Sequence, residues 1–213
     1  MTAADAELAV LGDGARELGV ALDERCCRVL LQFVERVYVW NRTAGLTTIR
    51  RADAVRLHIL DSLAAAPYVL AAPCADLGTG AGLPGVVLAL ARPELDVVLV
   101  ESSRKKASFL HETIRDLGIA NAHVVEGDAH AVDGGFSTVL SRAFRPPREF
   151  VKIACRLARP GARIVLLLAD PSDDEIASVA PSGATLRLHR FLLPGGAEKR
   201  TIVTFDLAGP VPA

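Results

Sequence analysis

The pattern of apolar positions changes along this chain, and the change falls near Pro73. Before it the spacing is helical. Val29, Leu30, Phe33, Val34, Val37 and Tyr38 return every three or four residues, which predicts a helix from Glu24 to Asn41 buried along one stripe. Asp23 stands where an N-cap would be. A shorter amphipathic helix is expected within residues 1–20, ending at Gly19. After a loop over residues 41–51, Asp53 is expected to cap a third helix running to Ala66, with Pro67 as its stop. From Pro73 onward, short apolar runs alternate with amphipathic stretches. Strands are predicted at 75–77, 96–100, 122–125, 138–140 and 163–168. The helices between them are predicted at 83–91, from Ser102 or Ser103 to Leu117, and at 148–158. Pro160-Gly161 reads as a turn. Strands at 186–193 and 201–205, joined by Pro194-Gly195-Gly196, read as a closing hairpin.

Alternating β and α segments imply an α/β fold with a mostly parallel, doubly wound sheet. The hairpin makes its last strand antiparallel. The expected organisation is an N-terminal helical cap, residues 1–72, on a sheet domain, residues 73–213, in one compact unit. Ligands of such sheets bind beyond the carboxyl ends of the strands. That is where residues 74–85 lie, Cys-Ala-Asp-Leu-Gly-Thr-Gly-Ala-Gly-Leu-Pro-Gly. Glycine lets the backbone take positive φ and lets a ligand approach the main chain. The stretch therefore reads as strand, glycine turn and helix start. Taken alone it fits either a nucleotide-binding loop or a structural turn.

Composition narrows the class. The 213 residues suit one domain, 51% are hydrophobic and 23% charged, and the formal net charge is −1. No apolar run reaches the ~20 residues needed to span a bilayer. The first ten residues carry Asp5 and Glu7 and no basic residue, unlike a signal peptide, so a cytoplasmic protein is expected. Cys26, Cys27, Cys74 and Cys155 form no C-x-x-C pair and are expected to be core thiols in a reducing compartment; no metal site is expected. Basic residues cluster in three places: Arg142 to Arg163, Arg42 to Arg56, and Arg104-Lys105-Lys106. They are either one phosphate-binding surface or scattered solvated charges.

Later groups bear on the nucleotide. Glu101 closes the second strand 23 residues after Gly78, where an acid can accept from both ribose hydroxyls. The turn Gly127-Asp128-Ala129-His130 suits recognition of an adenine ring, by Asp128 or by backbone groups of Ala129 and His130. The run Leu157-Ala158-Arg159-Pro160-Gly161-Ala162-Arg163 resembles the helix–turn–strand segment of class I S-adenosylmethionine-dependent methyltransferases, which have a Rossmann-like fold.

Several pieces together resemble a narrower group. They are Trp40-Asn41, His58-Ile59-Leu60-Asp61-Ser62-Leu63, Asp76 to Gly85, Arg92-Pro93, Phe109-Leu110, Ser141-Arg142-Ala143-Phe144 and the hairpin. They resemble the RsmG family, also called glucose-inhibited division protein B, the small-subunit (16S) ribosomal RNA guanine-N7 methyltransferases. The resemblance covers roughly residues 25–206. It implies an S-adenosyl-L-methionine cofactor and a small-subunit ribosomal RNA or 30S partner, with neither membrane nor metal. With the reading above, the expected cofactor-binding residues are Asp76, Gly78, Gly80, Gly82, Leu83, Glu101, Asp128, Ala129, His130 and Arg142. Arg145 and Arg148 are expected to contact RNA phosphate, and no catalytic residue is named.

The chain departs from the family pattern in places. Gly45-Leu46-Thr47 replaces Asn-Leu-Thr, Leu57 replaces an Arg, Glu101 replaces an Asp, and Ala169-Asp170 replaces a Lys-Gly after the fifth strand. The last departure reverses a charge and leaves the substrate open. Alternatives are a divergent paralogue acting on a small molecule, or a non-catalytic S-adenosylmethionine-binding module. Asp61 is the carboxylate expected to stabilise a cationic product base. His58 and Asp61, three apart, would share a helix face; without the resemblance His58 reads as a packing residue.

Overall fold

The short apolar runs after Pro73 build one seven-stranded sheet, seen in a computed structural model that describes residues 2–209. The expected helix within 1–20 and the expected domain 73–213 therefore extend, at Met1 and at residues 210–213, outside the described residues. Strands β1 (Cys74–Leu77), β2 (Val97–Glu101), β3 (Ala122–Glu126), β4 (Phe136–Arg142), β5 (Ala158–Leu168), β6 (Thr185–Leu192) and β7 (Lys199–Asp206) lie in the order β3-β2-β1-β4-β5-β7-β6. The first five are parallel. β7 runs antiparallel between β5 and β6, as the hairpin required. The order reverses at β1, so the connections that follow β1 and β4 leave toward opposite faces and a crevice opens beyond the carboxyl ends of the two strands.

Helices cover both faces. α1 (Ala3–Glu17), α2 (Glu24–Ala44), α3 (Asp61–Leu63), α4 (Gly85–Ala91) and α5 (Arg104–Leu117) lie on one side, with α6 (Pro147–Leu157) and α7 (Asp173–Ala177) on the other. One apolar cluster joins Leu11, Leu30, Phe33 and Leu63 of the cap to Leu88 and Phe109 of α4 and α5 and to Val97 and Leu99 of the sheet. Burial of such side chains contributes about 1.5–3 kcal/mol each, so the cap is fastened to the sheet by the same term that holds the sheet together. Trp40 packs against Phe109 with ring centroids 5.8 Å apart and the rings tilted by 60°, and the Tyr38 hydroxyl donates to Ile49 O at 2.7 Å. Both anchor the cap, as expected. Arg51 adds a bidentate pair with Glu7, at 2.7 and 2.9 Å, and also donates to Glu35.

The differences from expectation have local causes. Asp53 caps nothing. It lies inside a 3₁₀ turn, Arg51–Asp53, and its carboxylate accepts from Arg50 Nε. The residues after it, Val55–Leu60, are wound as a π-helix before the α-turn Asp61–Leu63. Pro67 lies in the first turn of a short 3₁₀ helix, Ala66–Tyr68, rather than stopping a helix; a first-turn proline forfeits no hydrogen bond. α4 begins at Gly85, because residues 79–83 form a turn in which Gly82 N and Leu83 N both donate to Thr79 O. Pro160-Gly161 is not a turn but an outward irregularity inside β5, where the register with β4 shifts between Phe136 and Thr138. α7, capped by Ser172, was not anticipated. Cys27 and Cys74 are buried, but Cys26 is half-buried and Cys155 is exposed on α6. Among the described residues no helix is long and apolar enough to cross a membrane.

Candidate active site

At the crevice the glycine loop follows β1. Gly78 and Gly80 take φ of 65° and 60°. A Cβ on Gly78 would lie 2.0 Å from the Phe144 ring, so any side chain there would displace Phe144. Asp76 lies beneath the loop, wholly buried. Its Oδ2 accepts from Thr79 Oγ1 at 2.6 Å and from Gly85 N at 2.8 Å, tying the loop to the start of α4. Its Oδ1 has no partner. Burial pushes this carboxyl up to about 7, against those two hydrogen bonds. A Cβ on Gly85 would fall 2.8 Å from Asp76 Oδ2, so glycine is what lets that contact form. Glu101 does a matching job from β2. Its Oε2 accepts from Gly80 N at 2.9 Å and its Oε1 from Ser103 N at 2.7 Å. The carboxylate therefore ends β2, starts α5 and fixes the loop. Ser103 is the residue at the N-cap, without a side-chain bond of its own.

A cavity of about 650 Å³ opens between this loop and the cap. One wall is Gly78 to Ala81 and Leu83; the other is Gly45 to Ile49 with Leu57, His58 and Asp61. Lys106, Arg142, Ala143, the residues 167–169 and Arg200 complete it. Besides the Tyr38 bond to Ile49 O, Asn41 holds the cap loop: its Oδ1 accepts from Leu46 N at 2.7 Å and Thr47 N at 2.8 Å, and its Nδ2 donates to Thr47 O at 2.8 Å. Thr47 Oγ1 lies 2.9 Å from His58 Nε2. Burial, then the nearby Arg142 charge, lowers His58 to about 4, so its imidazole is neutral at pH 7. The π-turn places both His58 and Asp61 on the cavity, while Ser62 is turned into the core. Single π-turns recur at functional sites.

Asp61 is gripped from two sides. Arg142 Nη1 donates to its Oδ2 at 3.0 Å and Arg200 Nε to its Oδ1 at 2.6 Å. Two guanidiniums around one carboxylate leave the group cationic, so Asp61 is not the free anion expected to face a cationic product. Burying three charges is tolerable because each is paired, and removing one partner would strand the others.

On the far side of Gly78 is a narrow cleft of about 20 Å³ lined by Val100, Ser102, Gly127 to Ala129, Phe144 and Arg145. Asp128 Oδ1 accepts from His130 N at 2.8 Å and caps a 3₁₀ turn, Ala129–Ala131. The His130 side chain is exposed. Arg145 lies over Phe144, 5.1 Å from the ring centroid, and pairs with Glu149 at 2.6 Å. Ala143, just before, holds φ of 56° without being glycine.

Of the expected residues, Gly78, Gly80, Leu83 and Arg142 thus line the large cavity. Asp128, Ala129 and Arg145 line the cleft, and Asp76 and Glu101 support the loop from behind. Gly82, at φ 83°, faces Val86 and Leu110 rather than the cavity. Arg148 is on neither; it is exposed and donates to Ser178 O. The basic cluster from 142 to 163 does not converge, since Arg156 donates to Ala129 O and Arg163 pairs with Asp206. Thr47 and Arg200 were missed. Arg200 is 139 residues from Asp61, and a Lys-Arg pair opening a hairpin strand carried no signal of its own.

A sheet ordered 3-2-1-4-5-7-6, with a glycine loop after β1 and an acid closing β2, defines a class I S-adenosylmethionine-dependent methyltransferase fold. A predicted O-methyltransferase from Agrobacterium tumefaciens has a similar structure, with a TM-score of 0.54 and 24% identity over 62% of this chain and 72% of that one. A precorrin-6y C5,15-methyltransferase from Geobacter metallireducens superposes with a TM-score of 0.52 and 15% identity over 76% of this chain and 91% of that one. Within the class, the chain belongs to the GidB family, described as rRNA small subunit methyltransferase G, whose model matches residues 26–203. It is 38% identical over 209 residues to the ribosomal RNA small subunit methyltransferase G of Nitrosospira multiformis, covering 93% of this chain and 97% of that protein. To the protein of the same name from Stenotrophomonas maltophilia it is 38% identical over 205 residues, covering 95% of each.

Proposed function

We propose that this chain is an S-adenosylmethionine-dependent methyltransferase that methylates N7 of a guanine in small-subunit ribosomal RNA, in the cytoplasm, on naked RNA or on the 30S particle. The observation that carries the reading is the cavity that has the glycine loop as one wall and the cap's polar residues as the other. Family membership supports it. The loop fits the cofactor: Gly78 and Gly80 expose main chain at positive φ, and an acid stands at the end of β2. Gly78, Gly80, Leu83 and Arg142 would hold its amino-acid end, Glu101 its ribose, and Asp128, Ala129 and His130 its base. Glu101 would have to give up part of its grip on Gly80 N or Ser103 N, or accept additional bonds on its remaining lone pairs.

When bound, the cofactor supplies a methyl group already activated on a sulfonium. Guanine N7 carries a free lone pair, so no residue must take a proton before attack. The chain's work is to hold the base in line, and orientation of this kind can be worth roughly 7–11 kcal/mol. Neutral His58 and the Thr47 hydroxyl offer uncharged hydrogen-bonding groups on the wall facing the loop. The Asp61–Arg142–Arg200 group presents positive charge where an RNA strand would enter. A splayed single-stranded base would reach the cavity with least unstacking.

The test is methyl transfer from labelled S-adenosylmethionine to small subunits, and to their naked RNA, from cells lacking this family's activity. Mass spectrometry of the digested RNA should place the label in 7-methylguanosine. Tight cofactor binding with no labelled RNA would instead favour a small-molecule substrate, which Asp170 and the acids that follow it would suit.

A further inference from the structure

Beyond Arg200 the cavity continues into a groove of about 280 Å³ between the ends of β5, β6 and β7. Asp170, Arg190, Phe191, Leu192, Lys199 and Arg200 line it. The strand register makes it. Phe191 pairs with Arg200 and Leu192 with Lys199 across β6 and β7, while Leu168 pairs with Thr201 across β5 and β7. The residues just past β5 therefore come beside Lys199 and Arg200. Lys199 Nζ lies 3.0 Å from Asp170 Oδ2, and Arg190 pairs with Asp173. These pairs are exposed; the side chains of Lys199 and Asp170 retain 69% and 53% of their accessible surface. Such pairs contribute only about 0–1 kcal/mol and exchange readily for a stronger anion. Leu192, 58% exposed, is one of the few large apolar side chains on the surface of the described residues.

A base splayed into the cavity leaves its own phosphates at the mouth, and the strand must leave across the rim. On that rim one side carries Lys106, and the other carries Arg200 and then the groove. We propose that this groove binds the nucleotide next to the target guanosine. Lys199 and Arg190 take its phosphate, and Leu192, on the same sheet face as both, lies under its base. The inference rests on the reading of the protein as an RNA methyltransferase. It also gives the Ala169-Asp170 departure a meaning: the cation at this rim is delivered from β7, and Asp170 holds it between turnovers.

The experiment measures binding of cofactor-free protein to naked small-subunit RNA across a salt series, together with methylation kinetics. Lys199→Ala should weaken binding several-fold, reduce the slope of log K against log salt by about 0.7, the share of one single-strand phosphate, and raise KM while sparing kcat. Lys199→Arg should restore all three. Asp170→Asn should bind RNA as tightly as wild type or tighter. Once the modified position is mapped, an abasic nucleotide beside it should weaken wild type and have no effect on Leu192→Asp. Unchanged salt slope and KM in Lys199→Ala, or equal losses in Lys199→Ala and Asp170→Asn, would overturn the proposal, the second by showing that the pair is only a structural clamp. Those results in a wild type that still methylates RNA leave the functional reading standing. A wild type that neither binds nor methylates the RNA overturns both.

Discussion

Asp76 shows how much one side chain can carry. The carboxylate is buried, half satisfied, and ties the glycine loop to α4. Its folded pKa, near 7, lies above the ordinary value of 3.8. Between those values the folded state holds a proton that the unfolded state has lost, so stability falls as pH rises through the window. Asp76→Asn keeps an acceptor for Thr79 and Gly85 and removes the titration. Urea unfolding of cofactor-free protein should show wild type losing, between pH 5 and pH 8, on the order of 1–4 kcal/mol more than Asp76→Asn loses. Parallel stability curves for the two proteins would rule this out. The residue was legible in the sequence as part of the loop. Its place beneath the loop was not, because burial depends on Leu99 and α4 closing over it.

At the scale of elements, the cap loop 45–49 is a wall of the cavity with little apolar anchorage, and Asn41 holds it through three hydrogen bonds. Asn41→Ala removes all three and leaves two backbone N–H groups without their acceptor. A loss of about 1–3 kcal/mol is expected on unfolding, with a rise in KM for RNA larger than any fall in kcat. Thermal denaturation and steady-state kinetics test it; a variant that loses kcat alone would place the loop's role in the chemistry instead. The strands were readable as short apolar runs and most helices from their period. The 51–68 segment was not. Its Asp, Pro and apolar spacing match a plain capped helix, whereas the fold winds it as 3₁₀, π and α turns in succession. Local propensity carries no mark of a π-turn, and only packing against α1 and α2 selects it.

For the whole molecule, cap and sheet share one apolar cluster, and the protein's single tryptophan lies at their junction. Two units joined this way should unfold as one. Trp40 fluorescence and far-ultraviolet circular dichroism should trace the same denaturant transition, with a single midpoint. A fluorescence midpoint well below the dichroism midpoint would mean that the cap detaches first.

The sequence by itself determined the class of fold, the sheet's alternation, the terminal hairpin, the glycine loop and its acid partner on β2. These depend on hydrophobic period and on glycine and proline positions, which are local properties. It also carried enough ordered motifs to indicate the family. The tertiary structure alone decided what those residues face. It put Asp76 and Glu101 behind the loop, paired Asp61 with Arg142 and Arg200, 81 and 139 residues away, and separated Arg148 from the cavity. It also brought Lys199 beside Asp170 through strand register. Ion pairs of this kind join residues 29 to 139 apart, and no period in a sequence encodes the partner of a charge.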